Sequence, residues 1–199
     1  MIKFNYIEDY RQYICTAELK KDNDIETPLA VDTGASFSII SPLILVSLGI
    51  LSTDNIDGFA KFFKEMNYPS ITFQPLGGSD LEAFPCRLQD VKIGDIIIPN
   101  FFFYLPERLT KSSILGIDFI RFCSFTKKID SSIVVDDFDY DTYEKTWLES
   151  TGTSIFPLYL FESKYKSYLD VKNTAAAFRF NYNKEDLKWL RQNKILIMQ

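Results

Sequence analysis

The feature that most limits the fold is a series of short apolar segments separated by turn residues, which occupies residues 1–136. Such segments, bounded by Gly, Pro, Asn and Asp, are typical of β-strands joined by tight turns. The clearest pair is Val91–Ile93 and Ile96–Ile98, and the intervening Gly94 and Asp95 predict a two-residue hairpin. The sequence therefore predicts a compact all-β unit.

One short helix is predicted within this unit. Ser41 offers a side chain that can cap a helix N-terminus, and Pro42 suits the first helical position because its missing amide hydrogen is not needed there. The apolar residues that follow end at Gly49, where we expect the helix to stop.

The chain of 199 residues contains no histidine, which excludes several kinds of catalytic site. Histidine is the usual general base near neutral pH and is among the commonest metal ligands. Its absence excludes Ser-His-Asp and Cys-His nucleophile pairs, HExxH metalloproteases and mixed Cys/His zinc sites. The three cysteines are widely spaced and form no CxxC pair, so we predict no disulfide framework and no metal or other cofactor. Acid–base chemistry must come from carboxylates, Lys, Tyr or Cys.

The formal net charge of −5 disfavours two classes of partner. Nucleic acids and anionic membranes both bind basic surfaces, so we predict neither. The N-terminus lacks the apolar segment of a signal peptide, and the most apolar stretch, Phe37–Leu51, is too short to span a bilayer. We therefore expect a cytoplasmic protein.

One segment carries a specific chemical signal, the apolar run Leu29–Val31 followed by Asp32-Thr33-Gly34-Ala35. An aspartate on a sharp turn after a buried strand presents its carboxylate at the floor of a cleft, and glycine lets backbone or water approach closely because it lacks a β-carbon. Further along the chain stands Ile114-Leu115-Gly116. This combination resembles the retropepsin-like aspartic proteases, whose single lobe carries Asp-Thr-Gly-Ala and, near its end, two hydrophobic residues, a glycine and a short helix.

The resemblance covers about residues 10–137 and implies an all-β lobe built as a closed β-barrel with interlocked loops. Asp118, which follows the second motif, is interpreted as a cap of the short helix rather than as a catalytic group. The residues to which the resemblance assigns roles are the catalytic Asp32, the framing residues Thr33, Gly34 and Ala35, the glycine-loop residue Gly116, and the substrate-covering flap residues Gly77 and Gly78.

A single such aspartate is half of a catalytic pair. One carboxylate cannot both activate a water molecule and protonate the leaving amine, whereas two that share a proton can, because like charges about 3 Å apart cannot both ionise. The resemblance implies a homodimer in which the two Asp32 side chains meet at the two-fold axis and Thr33 hydrogen-bonds across the dimer. The implied activity is an aspartic endopeptidase that hydrolyses polypeptides with an activated water, without a covalent intermediate.

The composition of the chain changes at Asp136, because five acidic residues and no basic residue occupy positions 136–144. This run is interpreted as a domain boundary or solvated linker. It predicts a protease lobe over residues 1–136 and a mixed or helical C-terminal extension of unknown role over residues 137–199.

Two other interpretations of the motif stay open. A lobe of this kind can keep its fold and act only as a catalytically silent dimerisation or peptide-binding module. Asp32-Thr33-Gly34 can also be an Asx-type turn in an unrelated β domain, an interpretation that two interlocked loops around Asp32 and Gly116 would exclude.

Overall fold

The computed structural model describes residues 1–20, 24–52, 58–74, 78–110, 112–129, 131–152 and 155–181. The main element of the described chain is a ten-stranded sheet in which antiparallel pairing predominates. The strands are β1 (Ile2–Ile7), β2 (Gln12–Lys20), β3 (Asp24–Val31), β4 (Ile71–Phe73), β5 (Leu81–Ile93), β6 (Ile96–Pro106), β7 (Ser113–Leu115), β8 (Cys123–Ile129), β9 (Ser132–Phe138) and β10 (Phe156–Pro157).

Few helices accompany the sheet. Those in the described ranges are α1 (Pro42–Ser47), α2 (Phe59–Glu65), α3 (Ile117–Ile120), α4 (Tyr140–Thr151) and α5 (Phe161–Asn181), with 3-10 turns at Glu8–Tyr10 and Leu158–Leu160. Helix α1 confirms the predicted start, because the Ser41 side chain accepts a hydrogen bond from the Leu43 amide and Pro42 is the first helical residue. In the part of the chain that is described, every helix is too short or too polar to traverse a bilayer.

The sheet follows the order β10-β5-β2-β1-β9-β8. The remaining strands branch from this path: β3 pairs with β2 and β7, while β4 and β6 pair with β5. Strands β5 and β6 pair antiparallel from Ile93 and Ile96 outward, which confirms the predicted hairpin. Gly94 in its turn has a φ of 62°, a left-handed conformation that favours glycine.

The described strands do not close into the barrel that the resemblance implies, because the ladder is open at β8 and at β10. Isolated bridges at Ile39 instead connect β6 and β7. The Ile39 amide donates to the carbonyl of Ile114 (2.9 Å), and the Tyr104 amide donates to the carbonyl of Ser38 (2.9 Å). A longer ladder cannot form here because the chain enters α1 at Pro42, which has no amide hydrogen.

The compact unit that contains the sheet is Met1–Phe161, whereas composition places a boundary after residue 136. Helix α4 belongs to this unit because it packs on β6. The Tyr143 hydroxyl accepts from the Phe102 amide (2.8 Å) and donates to the Phe102 carbonyl (3.2 Å), and the ring of Trp147 stacks on that of Phe102. As a division of function, the boundary after residue 136 stays a prediction.

The acidic run at residues 136–144 is not a solvated linker, because it contains the end of β9 and the start of α4. The Asp139 side chain caps α4 by accepting a hydrogen bond from the Thr142 amide (3.1 Å), and Asp141 lies in the first turn. Carboxylates at these positions satisfy free amides and interact favourably with the helix dipole. The bond from Thr142 also holds the pKa of Asp139 below its ordinary value.

The second compact unit is Glu162–Gln199, which the structure describes up to Asn181 as part of α5. The residues of this helix agree with the mixed or helical extension expected from the sequence.

Candidate active site

Asp32 follows the last residue of β3, where the chain leaves the sheet. Its backbone amide donates to the carbonyl of Leu115 (3.0 Å), so the pairing of β3 continues to this residue. The Gly34 amide donates to Asp32 Oδ1 (2.8 Å), and the Ala35 amide donates to the Asp32 carbonyl (3.2 Å). Asp32 and Ala35 are half-buried, while Thr33 and Gly34 are exposed. The tight turn therefore presents one carboxylate in a fixed orientation at the surface of the lobe.

The turn after β3, residues 32–37 (the Asp32 loop), is joined to residues 115–117 at the end of β7 and the start of α3 (the glycine loop). Strands β3 and β7 are parallel, so the segments that follow these two strands leave the sheet in the same direction. Two backbone hydrogen bonds join the Asp32 loop to the glycine loop. One is the bond from the Asp32 amide to the Leu115 carbonyl, and in the other the Ala35 carbonyl accepts from the Ile117 amide (2.9 Å). This double connection argues against an isolated Asx turn at Asp32.

A buried side-chain pair, Ser38 and Asp118, ties the same loops together. Ser38 Oγ donates to Asp118 Oδ1 (2.7 Å) and accepts from the Gly116 amide (3.0 Å). Asp118 is 7% exposed, and its Oδ2 has no hydrogen-bond partner within the described residues. Burial raises the pKa of the Asp118 carboxyl to about 6, although the hydrogen bond from Ser38 and the charge of Arg121 act to lower it.

The interpretation of Asp118 as a helix cap is wrong. The N-cap of α3 is Gly116, and no side chain caps this helix. Asp118 lies in the first turn and bonds to a serine 80 residues earlier. No local pattern connects the two residues, because the pairing of β3 with β7 and the bridge between Ile39 and Ile114 bring them together.

The cysteines are not available as nucleophiles. All three are free and buried, and burial raises the pKa of Cys15 and of Cys123 to about 12. Burial raises the pKa of Cys86 as well. The thiols therefore stay protonated and unreactive at neutral pH. Within the described residues, no group of three or more Cys, Asp or Glu side chains is placed to hold a metal ion.

Strands β4 and β5 form an antiparallel hairpin in which Ile71 lies opposite Ala83 and Phe73 opposite Leu81. The hairpin connection consists of residues 74–80. Gly78 lies in it and is exposed, whereas Gly77 lies outside the described residues. The assignment of these glycines to a flap stays a prediction.

A network of charged side chains holds the base of this hairpin to α2. Lys64 Nζ lies 2.7 Å from Glu82 Oε2 and 2.8 Å from Glu107 Oε2. Glu82 Oε1 also accepts from Ser70 Oγ (2.6 Å). The hydrogen bonds of Lys64 lower the pKa of both glutamates. The same two bonds raise the pKa of Lys64, and the bond to Glu107 has the larger effect.

Replacing Lys64 with methionine is expected to loosen the hairpin with little loss of global stability. Lys64 is 46% exposed, so the free energy of unfolding should fall by less than about 1 kcal/mol, and by less at high salt. Hydrogen exchange of the amides in β4 should become faster. The effect should fade below about pH 4, because glutamates with a lowered folded pKa lose their stabilisation as pH falls through it.

Lys61→Met is the matched control, because Lys61 is on the same helix and its ion pair with Glu65 is long (3.9 Å). This variant should leave exchange in β4 unchanged. Equal exchange rates in the two variants would contradict a role for Lys64 at the hairpin.

Comparison with protein families finds none that matches this chain, and comparison with curated proteins finds no relative. Among solved structures, the chain is similar to a retropepsin-like aspartic protease from Rickettsia conorii. The sequence identity is 19% and the TM-score 0.45, over 67% of this chain and 88% of that chain. At this level of similarity, activity has to be inferred from the residues of the chain itself.

Proposed function

We propose that the chain is an aspartic endopeptidase that acts as a homodimer, with one catalytic Asp32 from each copy. The observation that carries this proposal is the half-buried Asp32 carboxylate, held by the Gly34 amide in a loop that is bonded twice to the glycine loop. The 199-residue sequence contains a single Asp-Thr-Gly, and in this proposal a second copy completes the pair of carboxylates.

The two carboxylates share one proton and divide the chemistry between them. The ionised one takes a proton from water as the water oxygen attacks the peptide carbonyl carbon, and the protonated one hydrogen-bonds the carbonyl oxygen. A proton then passes to the amide nitrogen as the carbon–nitrogen bond breaks. The Gly34 amide orients each carboxylate by binding Oδ1. In this proposal, the exposed Thr33 hydrogen-bonds across the dimer, and Gly34 and Ala35 frame the site.

The substrate in this proposal is an extended polypeptide. Extended chains bind proteins through strand-like backbone hydrogen bonds. The β4–β5 hairpin, with Gly77 and Gly78 in its connection, would cover such a chain as a flap. The ion pairs of Lys64 with Glu82 and Glu107 would fix the base from which this flap extends.

Cleavage by the wild type and by Asp32→Asn tests the assignment directly. Asparagine keeps the oxygen that accepts from the Gly34 amide but cannot exchange a proton as a carboxylate does. With a peptide mixture as substrate and mass spectrometry as readout, cleavage should fall at least about a hundredfold. Asp136→Asn, which alters an exposed carboxylate on β9, is the matched control and should cleave normally.

The mass of each protein in solution, measured on the same samples, separates the possible outcomes. Cleavage that survives Asp32→Asn would contradict the site. A wild type that is monomeric with and without peptide would contradict the shared pair of carboxylates. A stable dimer that cleaves no peptide would favour the alternative function, a catalytically silent dimerisation or peptide-binding module.

A further inference from the structure

A cavity of about 150 Å³ lies between residues 36–37, β6, α3 and α4. Helix α4, which follows the predicted lobe boundary, supplies one wall of this cavity. The lining consists of aromatic rings, hydroxyl groups, an isoleucine and two charged side chains, Asp118 and Arg121.

Three aromatic residues form one continuous side of the cavity. The ring centroids of Phe37 and Tyr104 are 4.9 Å apart, and those of Tyr104 and Trp147 are 5.2 Å apart. Aromatic rings of this kind pack against alkyl chains and attract cations placed over their faces.

The negative charge of Asp118 in the cavity wall is only partly compensated. Oδ1 is bound by Ser38, but Oδ2 has no partner within the described residues although the side chain is more than nine-tenths buried. The Arg121 guanidinium is the nearby cation, and it lies over the ring of Phe122, 4.7 Å from its centroid. A buried carboxylate without a full set of partners is costly, so a cation in this cavity would be stabilised.

Hydroxyl groups of α4 add acceptors to the same cavity. Thr146 Oγ1 donates its proton to the carbonyl of Thr142 (2.7 Å), and Ser150 Oγ donates to the carbonyl of Trp147 (3.1 Å). With their protons directed at the helix backbone, these oxygens keep lone pairs that can accept from a ligand. Apart from Arg121, whose guanidinium lies over the ring of Phe122, the polar groups of the lining therefore favour a ligand that donates hydrogen bonds.

We propose that this cavity binds the basic side chain of a polypeptide, with its alkyl part against Phe37, Tyr104 and Trp147 and its cationic head beside Asp118. A lysine ammonium group has three donors and no acceptor, which matches the lining. Binding of a basic side chain in this cavity does not require a catalytic Asp32, because Asp32 is not part of the lining. The binding test is therefore separate from the test of endopeptidase activity.

The affinity for a cation should depend on the charge of Asp118. The titratable or charged groups that face it are Arg121 at the C-terminal end of α3, Tyr104 on β6 and Tyr143 on α4. The pKa values of both tyrosines are raised by burial, whereas the pKa of Asp118 is about 6. Between pH 5 and pH 7 only Asp118 in this set changes charge, from neutral to negative.

Two amino-acid derivatives with the same four-carbon side chain, one with and one without a terminal ammonium group, test the site. N-acetyl-lysine methylamide is titrated into the full-length protein, with N-acetyl-norleucine methylamide as the ligand that lacks the ammonium group. The indole N–H resonance of Trp147 reports binding, and a Trp189→Phe variant assigns it because the chain has two tryptophans. At pH 7 the lysine derivative should bind about tenfold more tightly than the norleucine derivative, because only the former pairs with a negative charge.

Asp118→Asn should bring the affinity for the lysine derivative down to that for the norleucine derivative, and Asp141→Asn, an exposed carboxylate on α4, should leave it unchanged. Because Asp118 also bonds Ser38, a pH titration of the wild type tests the same charge without a substitution. Affinity for the lysine derivative should rise from pH 5 to pH 7. Equal affinity for the two ligands, or lysine binding that neither Asp118→Asn nor pH alters, would overturn the proposal.

Discussion

Replacement of Gly116 with alanine is expected to lower the free energy of unfolding by at least about 3 kcal/mol. A β-carbon at this position would lie 2.5 Å from the carbonyl carbon of Phe37 and 2.9 Å from the amide nitrogen of Ser38. These are backbone atoms that cannot rotate away, so the Asp32 loop and the glycine loop would have to separate. The separation would also break the buried bond from the Gly116 amide to Ser38 Oγ, which leaves the Gly116 amide without its partner.

Gly34→Ala is the control for Gly116→Ala, because the two glycines lie in the two connected loops. The nearest atom to a β-carbon at Gly34 is Asp32 Oδ1 at 3.2 Å, which is the end of a side chain. We expect this variant to cost less than about 1 kcal/mol, because the carboxylate can shift by a few tenths of an ångström. Urea unfolding of both variants measures the difference. Equal losses would contradict the close packing of Gly116.

The elements that sequence predicts well are those whose signals are local. The β5–β6 hairpin follows from Gly94 and Asp95 between two apolar runs, and α1 follows from Ser41 and Pro42. In each case the residues that determine the conformation are neighbours in the chain. The same holds for the turn at Asp32, where the Gly34 amide reaches a carboxylate two residues away.

The elements that sequence missed depend on contacts between distant residues. The acidic composition of residues 136–144 suggests a solvent-exposed segment. Tyr143 in this run is nevertheless completely buried, and its hydroxyl forms hydrogen bonds with both backbone groups of Phe102. Charged residues at a helix N-terminus stay at the surface while the helix buries its other face, so composition alone cannot separate a linker from the start of a helix. Composition alone therefore does not show that the compact unit continues to Phe161, and the functional boundary after residue 136 stays a prediction.

The position of α4 changes how the candidate site is understood. The resemblance to a single-lobe protease describes residues up to about 137, but Thr146, Trp147 and Ser150 line the cavity next to residues 36–37. A segment outside the recognised motif thus shapes the surroundings of the Asp32 loop. The packing of α4 on β6 places these residues beside the Asp32 loop, and no short sequence motif encodes that packing.

Ionisation of Asp118 is expected to destabilise the fold by about 2 kcal/mol between pH 4 and pH 7. An aspartate in an unfolded chain titrates near pH 4, whereas the pKa of Asp118 in the folded protein is about 6. Between these two pKa values the folded state binds more protons than the unfolded state, so the free energy of unfolding falls as pH rises. Above about pH 7 the ionisation of Asp118 causes no further change. Asp118→Asn keeps an oxygen for Ser38 but cannot ionise. The stability of the wild type relative to this variant should therefore decline across the window.

Urea unfolding of the wild type and of Asp118→Asn, at closely spaced pH values, measures this decline. Effects of the other carboxylates, including Glu82 and Glu107, cancel in the difference because both proteins contain them. Asp139→Asn is the control of opposite sign. Its carboxylate has a lowered pKa, so its stabilisation is present above the unfolded value and is lost as pH falls. A constant difference between the wild type and Asp118→Asn from pH 4 to pH 7 would show that Asp118 does not titrate in the fold as described. If a basic side chain binds beside the ionised carboxylate, a saturating lysine derivative should make the decline smaller and end it at a lower pH, because binding to the ionised form lowers the folded-state pKa of Asp118.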